Sequence, residues 1–233
     1  MKTIGIIGGM SYESTTIYYN TINQVIKDKL GGLNSAKILL QSVNFAEIEK
    51  LQKENKWQES GEILGSIAKK LENAGADFII LATNTMHKVA NIIQNFINIE
   101  FFHITDATIK ALNLKNIKKI GLLGTKYSLK DDFLKDKFKQ NGFEVIIPND
   151  DDINLINDII FKELCVGKIS KKSYEIYIKI IENFKSKGVQ AIVLGCTEIG
   201  LLINEKNSPL PVFDTAIIHA KFSALKSIGE KFE

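Results

Sequence analysis

The sequence predicts an α/β protein built as two pseudo-symmetric domains, each a parallel sheet covered by helices, with the active site between them. Short runs rich in Ile, Val and Leu alternate along the chain with longer stretches of helical periodicity. The runs are apolar throughout rather than at every second position, which marks strands buried on both faces of a parallel sheet. Two segments also recur. Thr3-Ile-Gly-Ile-Ile-Gly8 returns as Lys119-Ile-Gly-Leu-Leu-Gly124, and Gly75-Ala-Asp-Phe-Ile-Ile-Leu-Ala-Thr83-Asn-Thr85 returns as Gly188-Val-Gln-Ala-Ile-Val-Leu-Gly-Cys196-Thr-Glu198. From Thr3 to Lys119 the offset is 116 residues and from Thr83 to Cys196 it is 113, so the chain is one duplication rather than a solenoid array.

In chain order, strands are expected at Thr3–Ile7, Lys37–Gln41, Asp77–Leu81, Phe101–Ile104, Lys119–Leu123, Glu144–Ile147, Ala191–Leu194 and Val212–Phe213. Helical patterns between them include Ser14–Lys29, Trp57–Asn73 and Ser173–Lys187. The tail VFDTAIIHAKFSALKSI, after Pro211, reads as a strand and a closing helix that return to the first half. The first domain is therefore expected to comprise residues 1–102 plus 211–233, and the second residues 103–210.

A formal charge of +3 without a basic cluster argues against a nucleic-acid partner. No apolar run approaches membrane-spanning length, and MKTIGIIGGM enters a strand at once without a signal core. Two cysteines and three scattered histidines suit neither a disulfide framework nor a zinc module. A reduced, cytoplasmic protein with no metal is the expectation. All thirty basic residues are lysine, so a carboxylate ligand must be held by lysine, hydroxyl or backbone N–H rather than by a bidentate guanidinium.

Ligand crevices of open α/β sheets lie beyond the carboxyl ends of the strands. Four loops fall there: Gly8–Ser11, Thr83–Thr85, Gly124–Ser128 and Cys196–Glu198. Cys196 sits between a strand and the helix expected from Thr197, where a helix dipole and free N–H groups would draw its thiol from a reference pKa of about 8.5 toward working pH. The competing reading is a small buried hydrophobe; the matching Thr83-Asn84-Thr85 triplet in the other half favours the functional one. Thr83, Asn84 and Thr85 offer two hydroxyls and an amide to a carboxylate, or cap the next helix, or both. Gly8-Gly9-Met10-Ser11 suggests a turn where backbone approaches a ligand closely. It has neither the G-x-G-x-x-G spacing nor a terminal acid on the second strand, and no P-loop or nucleophile elbow is present. Cys165 is expected to pack, His87 to brace the Thr83 turn, and His103 and His219 to be structural. Glu198 is either a counter-charge for an ammonium group or a cap. Tyr18 and Tyr19 are read as core or rim, and Asn149–Asp152 as a solvated loop.

These residues resemble the aspartate/glutamate racemase family, and most closely its bacterial broad-specificity amino-acid racemase branch. The resemblance runs nearly end to end. It is carried by GGMSYEST (Gly8–Thr15), SVNFAEIE (Ser42–Glu49), ATNTMHKVA (Ala82–Ala90), LLGTKYS (Leu122–Ser128), ELCVGK (Glu163–Lys168), LGCTEIGLL (Leu194–Leu202) and PVFDTAIIHA (Pro211–Ala220). It implies exchange of the α-proton of a free amino acid, such as aspartate or glutamate, with no cofactor and no pyridoxal phosphate, in a homodimer. Cys196 takes the place of the family's second-half cysteine; the first-half cysteine falls on Thr83, a substitution that the resembled branch shares. Glutamate racemases have histidine where Glu198 stands, and many aspartate racemases use an arginine that this chain lacks. By the same resemblance Met10, Gln52, Asn84, Thr85, Thr125 and Thr197 line the substrate pocket.

Two other readings stay open at the level of sequence. A single-cysteine site suits a decarboxylase of activated malonates, in which the thiol only reprotonates an enediolate. A two-lobed protein can also clamp a small acid without chemistry.

Overall fold

All eight expected strands form in a computed structural model that describes residues 1–231. They make two parallel sheets of four strands. The first contains β1 (Ile4–Gly8), β2 (Ile38–Ser42), β3 (Phe78–Leu81) and β4 (Glu100–Phe101) in the order β2-β1-β3-β4. The second contains β5 (Lys119–Gly124), β6 (Glu144–Ile146), β7 (Ala191–Gly195) and β8 (Val212–Asp214) in the order β6-β5-β7-β8. The second order is the first shifted by four strands, so the sequence repeat is a repeat of topology.

Helices α1 (Tyr12–Leu30), α2 (Phe45–Lys53), α3 (Trp57–Asn73), α4 (Ala90–Gln94) and α5 (Ile104–Leu114) follow the strands of the first half. Helices α6 (Lys126–Lys130), α7 (Asp132–Gln140), α8 (Asp150–Lys162) and α9 (Lys171–Ser186) belong to the second, and α10 (Thr215–Ile228) is the last element among the described residues. By contact the chain divides into one unit of residues 1–107 joined by the tail from Ala216, and another of residues 108–215. The chain thus changes unit within α5 and at the first residue of α10.

Continuous apolar strands have their explanation in the first sheet. Alternate side chains point to opposite faces, and both faces are covered. Ile4 and Ile6 of β1 with Phe78 and Ile80 of β3 pack against Tyr18, Ile22 and Ile26 of α1 and Ala216, Ala220 and Ala224 of α10. Ile7, Ile79 and Leu81 face the other way, against Leu64, Ile67, Ala68 and Leu71 of α3. Burying one such Ile or Leu is worth roughly 1.5–3 kcal/mol, and a polar residue at any of these positions has no solvent face to turn to. In the second unit, β5 and β7 meet α8 and α9 through Leu123, Ile192 and Leu194 against Ile156, Ile160, Ile181 and Phe184.

Helix starts follow their capping residues. Ser11 accepts from the Ser14 N–H at the head of α1, Thr125 from Ser128 at α6, and Ser170 from Ser173 at α9. Asn149 does the same for α8, accepting from Asp152 N–H at 2.8 Å. Asn149–Asp152 is therefore a cap and a first turn, not the solvated loop expected from its composition; three aspartates there complement the positive end of the helix dipole.

Two further boundaries differ from expectation. Ile104 opens α5 rather than closing β4, since β4 pairs with β3 only at Glu100 and Phe101. Val212–Asp214 stays with the second sheet, in register with Ile192–Leu194 of β7, and only α10 returns to the first unit. Small residues every fourth position let α10 lie close on the first sheet, and Lys226 pairs with Glu100 at 2.7 Å. Among the described residues no helix is long and apolar enough to cross a membrane.

Candidate active site

Each sheet has a topological switch point, where connections leave a central strand to opposite sides, and ligands of such sheets bind beyond the carboxyl ends of the strands there. In the second unit this point lies between β5 and β7, whose register pairs Gly124 with Gly195. The next residue of each strand is a predicted site residue: Thr125 after β5 and Cys196 after β7. Thr125 is buried, caps α6 and shares its hydroxyl with Ser128 at 3.2 Å.

Cys196 precedes a single 3₁₀ turn, Thr197–Leu201, and is buried. Its Sγ–H donates to Glu198 Oε2 at 3.1 Å, and the Thr197 hydroxyl donates to the same oxygen at 2.6 Å. The thiol is consequently held well above its ordinary pKa, first by burial and then by the Glu198 carboxylate and by Cys165. This corrects the sequence expectation of a populated thiolate. The Glu198 backbone N–H does lower the value, as expected of a helix start, but it is outweighed. Five residues of 3₁₀ turn supply little dipole, and a carboxylate faces the sulfur. The resting group is a protonated thiol hydrogen-bonded to a carboxylate, an arrangement able to pass a proton in either direction.

In the first unit the switch point lies between β1 and β3, with Ile7 opposite Leu81. Beyond these ends stand Met10 and Thr83, both buried. Gly9 has φ +93°, and a Cβ there would lie 2.3 Å from the Val43 carbonyl oxygen. The close approach expected of this turn is thus to the protein's own chain, and the Gly9 N–H is already given to Thr15 Oγ1 at 2.8 Å. Met10 packs into the core beside Ile48 and Met86. Gln52, on α2, is buried and donates to Met86 Sδ at 2.9 Å. Asn84 is buried at the head of the 3₁₀ turn Thr85–Val89 but makes no side-chain capping bond, and Thr85 is half-buried.

His87 braces the turn, as expected. Its Nδ1 lies 2.7 Å from the Thr83 carbonyl oxygen, and its Nε2 takes the Ile104 N–H at 3.2 Å. A carbonyl can only accept and an amide N–H only donate, so the imidazole is the neutral Nδ1–H tautomer. His219 has the opposite tautomer: Nε2 donates to the Phe102 carbonyl at 2.8 Å, while Nδ1 accepts from the Tyr18 hydroxyl at 2.8 Å. Burial lowers its pKa to about 4. Nδ1 of His103 accepts from Thr105 N–H at 3.1 Å at the start of α5. Among the described residues no three His, Cys, Asp or Glu side chains gather as a metal would require.

The predicted residues therefore fall in two groups, Met10, Gln52, Thr83, Asn84 and Thr85 in one unit and Thr125, Cys196, Thr197 and Glu198 in the other. Sequence reasoning missed the role of Glu198 as hydrogen-bond partner of the thiol, although its place two residues after Cys196 was a signal. Cys165 lies in the 3₁₀ turn Leu164–Val166 and packs against the core that includes Cys196.

Two duplicated parallel sheets with polar triplets at matching strand ends define a known class. The family model for Asp/Glu/Hydantoin racemase matches residues 7–222, and the chain belongs to that family. It is 24% identical over 221 residues to the broad specificity amino-acid racemase RacX of Bacillus subtilis (strain 168), covering 94% of this chain and 95% of that one. Among solved structures, a candidate Asp/Glu racemase from Yersinia pestis is 47% identical with a TM-score of 0.93, covering 98% of this chain and 100% of that one. An aspartate racemase homologue from Pyrococcus horikoshii OT3 is 35% identical with a TM-score of 0.86, covering 99% and 100%.

Proposed function

We propose that this protein racemises a free amino acid, aspartate, glutamate or a related one, without pyridoxal phosphate, using Cys196 and Thr83 as its proton-transfer groups. The observation that carries the reading is the Cys196–Glu198 pair, a buried thiol at a switch-point strand end with a carboxylate in hydrogen-bond contact.

The α-proton of an amino acid is weakly acidic, so the negative charge formed when it leaves must meet preorganised donors away from water. Lysine, hydroxyl and backbone N–H groups must serve, because the chain has no arginine. In the forward step the Cys196 thiol gives its proton to Glu198, the thiolate takes the α-proton of the L-enantiomer, and Glu198 then releases its proton to solvent, which balances the one that Thr83 recovers. The Thr83 hydroxyl delivers a proton to the opposite face of the carbanion and recovers one from solvent. Thr125 and Thr197 contribute hydroxyls beside the thiol, while Met10, Gln52, Asn84 and Thr85 shape the part of the pocket nearest Thr83.

The test is incubation with each L-amino acid in D₂O, following loss of the α-proton signal by NMR. At least one dicarboxylic or related amino acid should exchange, and Cys196→Ser should abolish the exchange. Silence with every amino acid would overturn the reading. Carbon dioxide released from an activated malonate in parallel tubes would replace it with decarboxylation, and ligand binding without turnover would replace it with a binding role.

A further inference from the structure

Tyr177, on α9, is completely buried, and among the described residues its hydroxyl has no hydrogen-bond partner. A buried hydroxyl is normally satisfied, and leaving one bare destabilises the fold. Phenylalanine would fill the same volume without that cost. The side chain lies in the core cluster that contains Cys196, with Cys165 packed against it. Burial first, and then the titratable groups Cys196, Cys165 and Glu163, hold the phenol's pKa well above the ordinary value. The phenol therefore stays an O–H donor at any pH at which the protein works, and no basic group competes among the influences on it. At the sulfur, the facing groups are Glu198 and Cys165. In the thiol form the Glu198 carboxylate accepts from both Cys196 and Thr197, while the Glu198 backbone N–H already donates to the sulfur, so a phenol O–H would add a further donor for a thiolate.

We propose that Tyr177 is a positioning residue for the thiol chemistry: its unpaired O–H turns onto the Cys196 sulfur as negative charge develops there. The hydroxyl is unsatisfied in the thiol form and satisfied in the thiolate form, which favours the charged state that burial and Glu198 oppose. This rests on the reading of Cys196 as the working thiol. It assigns no contact with substrate to Tyr177.

The experiment follows alkylation of Cys196 by iodoacetamide against pH in a Cys165→Ser background, with and without Tyr177→Phe, beside kcat and KM for the exchanging amino acid. Tyr177→Phe should melt no lower than its parent, since it removes a bare polar group. It should nevertheless alkylate roughly tenfold more slowly at neutral pH and lose a similar factor in kcat, with KM little changed. Superimposable alkylation profiles in folded proteins would overturn the proposal. If Tyr177→Phe fails to fold, 3-fluorotyrosine at position 177 keeps the size and strengthens the donor, so alkylation should be faster than in the parent; an unchanged rate overturns it. The alkylation arm needs no amino-acid substrate. Failure of the racemase reading would leave it intact, whereas failure of this inference would leave α-proton exchange by the parent untouched.

Discussion

Lowering the pH from 7 to 5 should destabilise this protein through His219. The imidazole has no exposed surface, accepts from Tyr18 at 2.8 Å and donates to the Phe102 carbonyl at 2.8 Å, so there is no room for a second ring proton. Its folded pKa is about 4 against an ordinary 6.5, because burial disfavours the cation. Between those values the unfolded chain binds a proton that the folded chain refuses. Stability is therefore fully present above 6.5 and lost as the pH falls toward 4. At about 1.4 kcal/mol per pH decade this amounts to about 3 kcal/mol in all, of which about 2 kcal/mol is gone by pH 5. Carboxylates also titrate at low pH, so the comparison must be differential. Urea unfolding at both pH values in wild type and in His219→Gln, whose amide can still donate to Phe102, isolates the histidine. The variant should be less stable at pH 7, yet lose about 2 kcal/mol less than wild type on acidification. Equal losses in the two proteins would refute the buried neutral imidazole as the source.

Cys196→Ser should remove nearly all α-proton exchange while Cys165→Ser keeps most of it; a folded but inactive Cys165 variant would show that the wrong thiol was chosen. Glu198→Gln should lower kcat about 100-fold, as expected for loss of a proton-transfer partner, yet quicken alkylation of Cys196 near neutral pH because the charge that keeps the thiol protonated is gone. Unchanged kcat there would make Glu198 a bystander. Exchange should be at least several-fold faster from the L- than from the D-enantiomer, because a threonine alkoxide is far less accessible than a thiolate, and Thr83→Cys should speed the D-form selectively; equal rates in wild type would rule out the asymmetric pair. Activity should survive exhaustive EDTA treatment without added pyridoxal phosphate, and restoration by a divalent ion would contradict the mechanism.

The fold was largely legible because it rests on patterns of one residue type in one rhythm. Strands buried on both faces must be apolar throughout, and helices covering them must carry a stripe. Boundaries such as Ile104, and the short helix start at Asn149, were less legible. An apolar residue can extend a strand or open a helix, and three adjacent aspartates suit a solvated loop or a helix N-terminus equally well. The site was legible as positions. Thr83, Thr125 and Cys196 all stand just past strand ends, and the parallel register that pairs Gly124 with Gly195 puts Thr125 and Cys196 next in line on neighbouring strands.

The sequence alone determined the two sheets, the repeat that relates them and the residues at their carboxyl ends, because local periodicity and self-similarity need no knowledge of distant neighbours. Only the tertiary structure decided that Val212–Asp214 belongs to the second sheet, which tautomers His87 and His219 adopt, and that Cys196 rests as a thiol. Each of these depends on a partner or on burial that linear order does not encode. A carbonyl selects a tautomer, a neighbouring strand selects a sheet, and a low-dielectric core with one carboxylate in reach sets the charge on a sulfur.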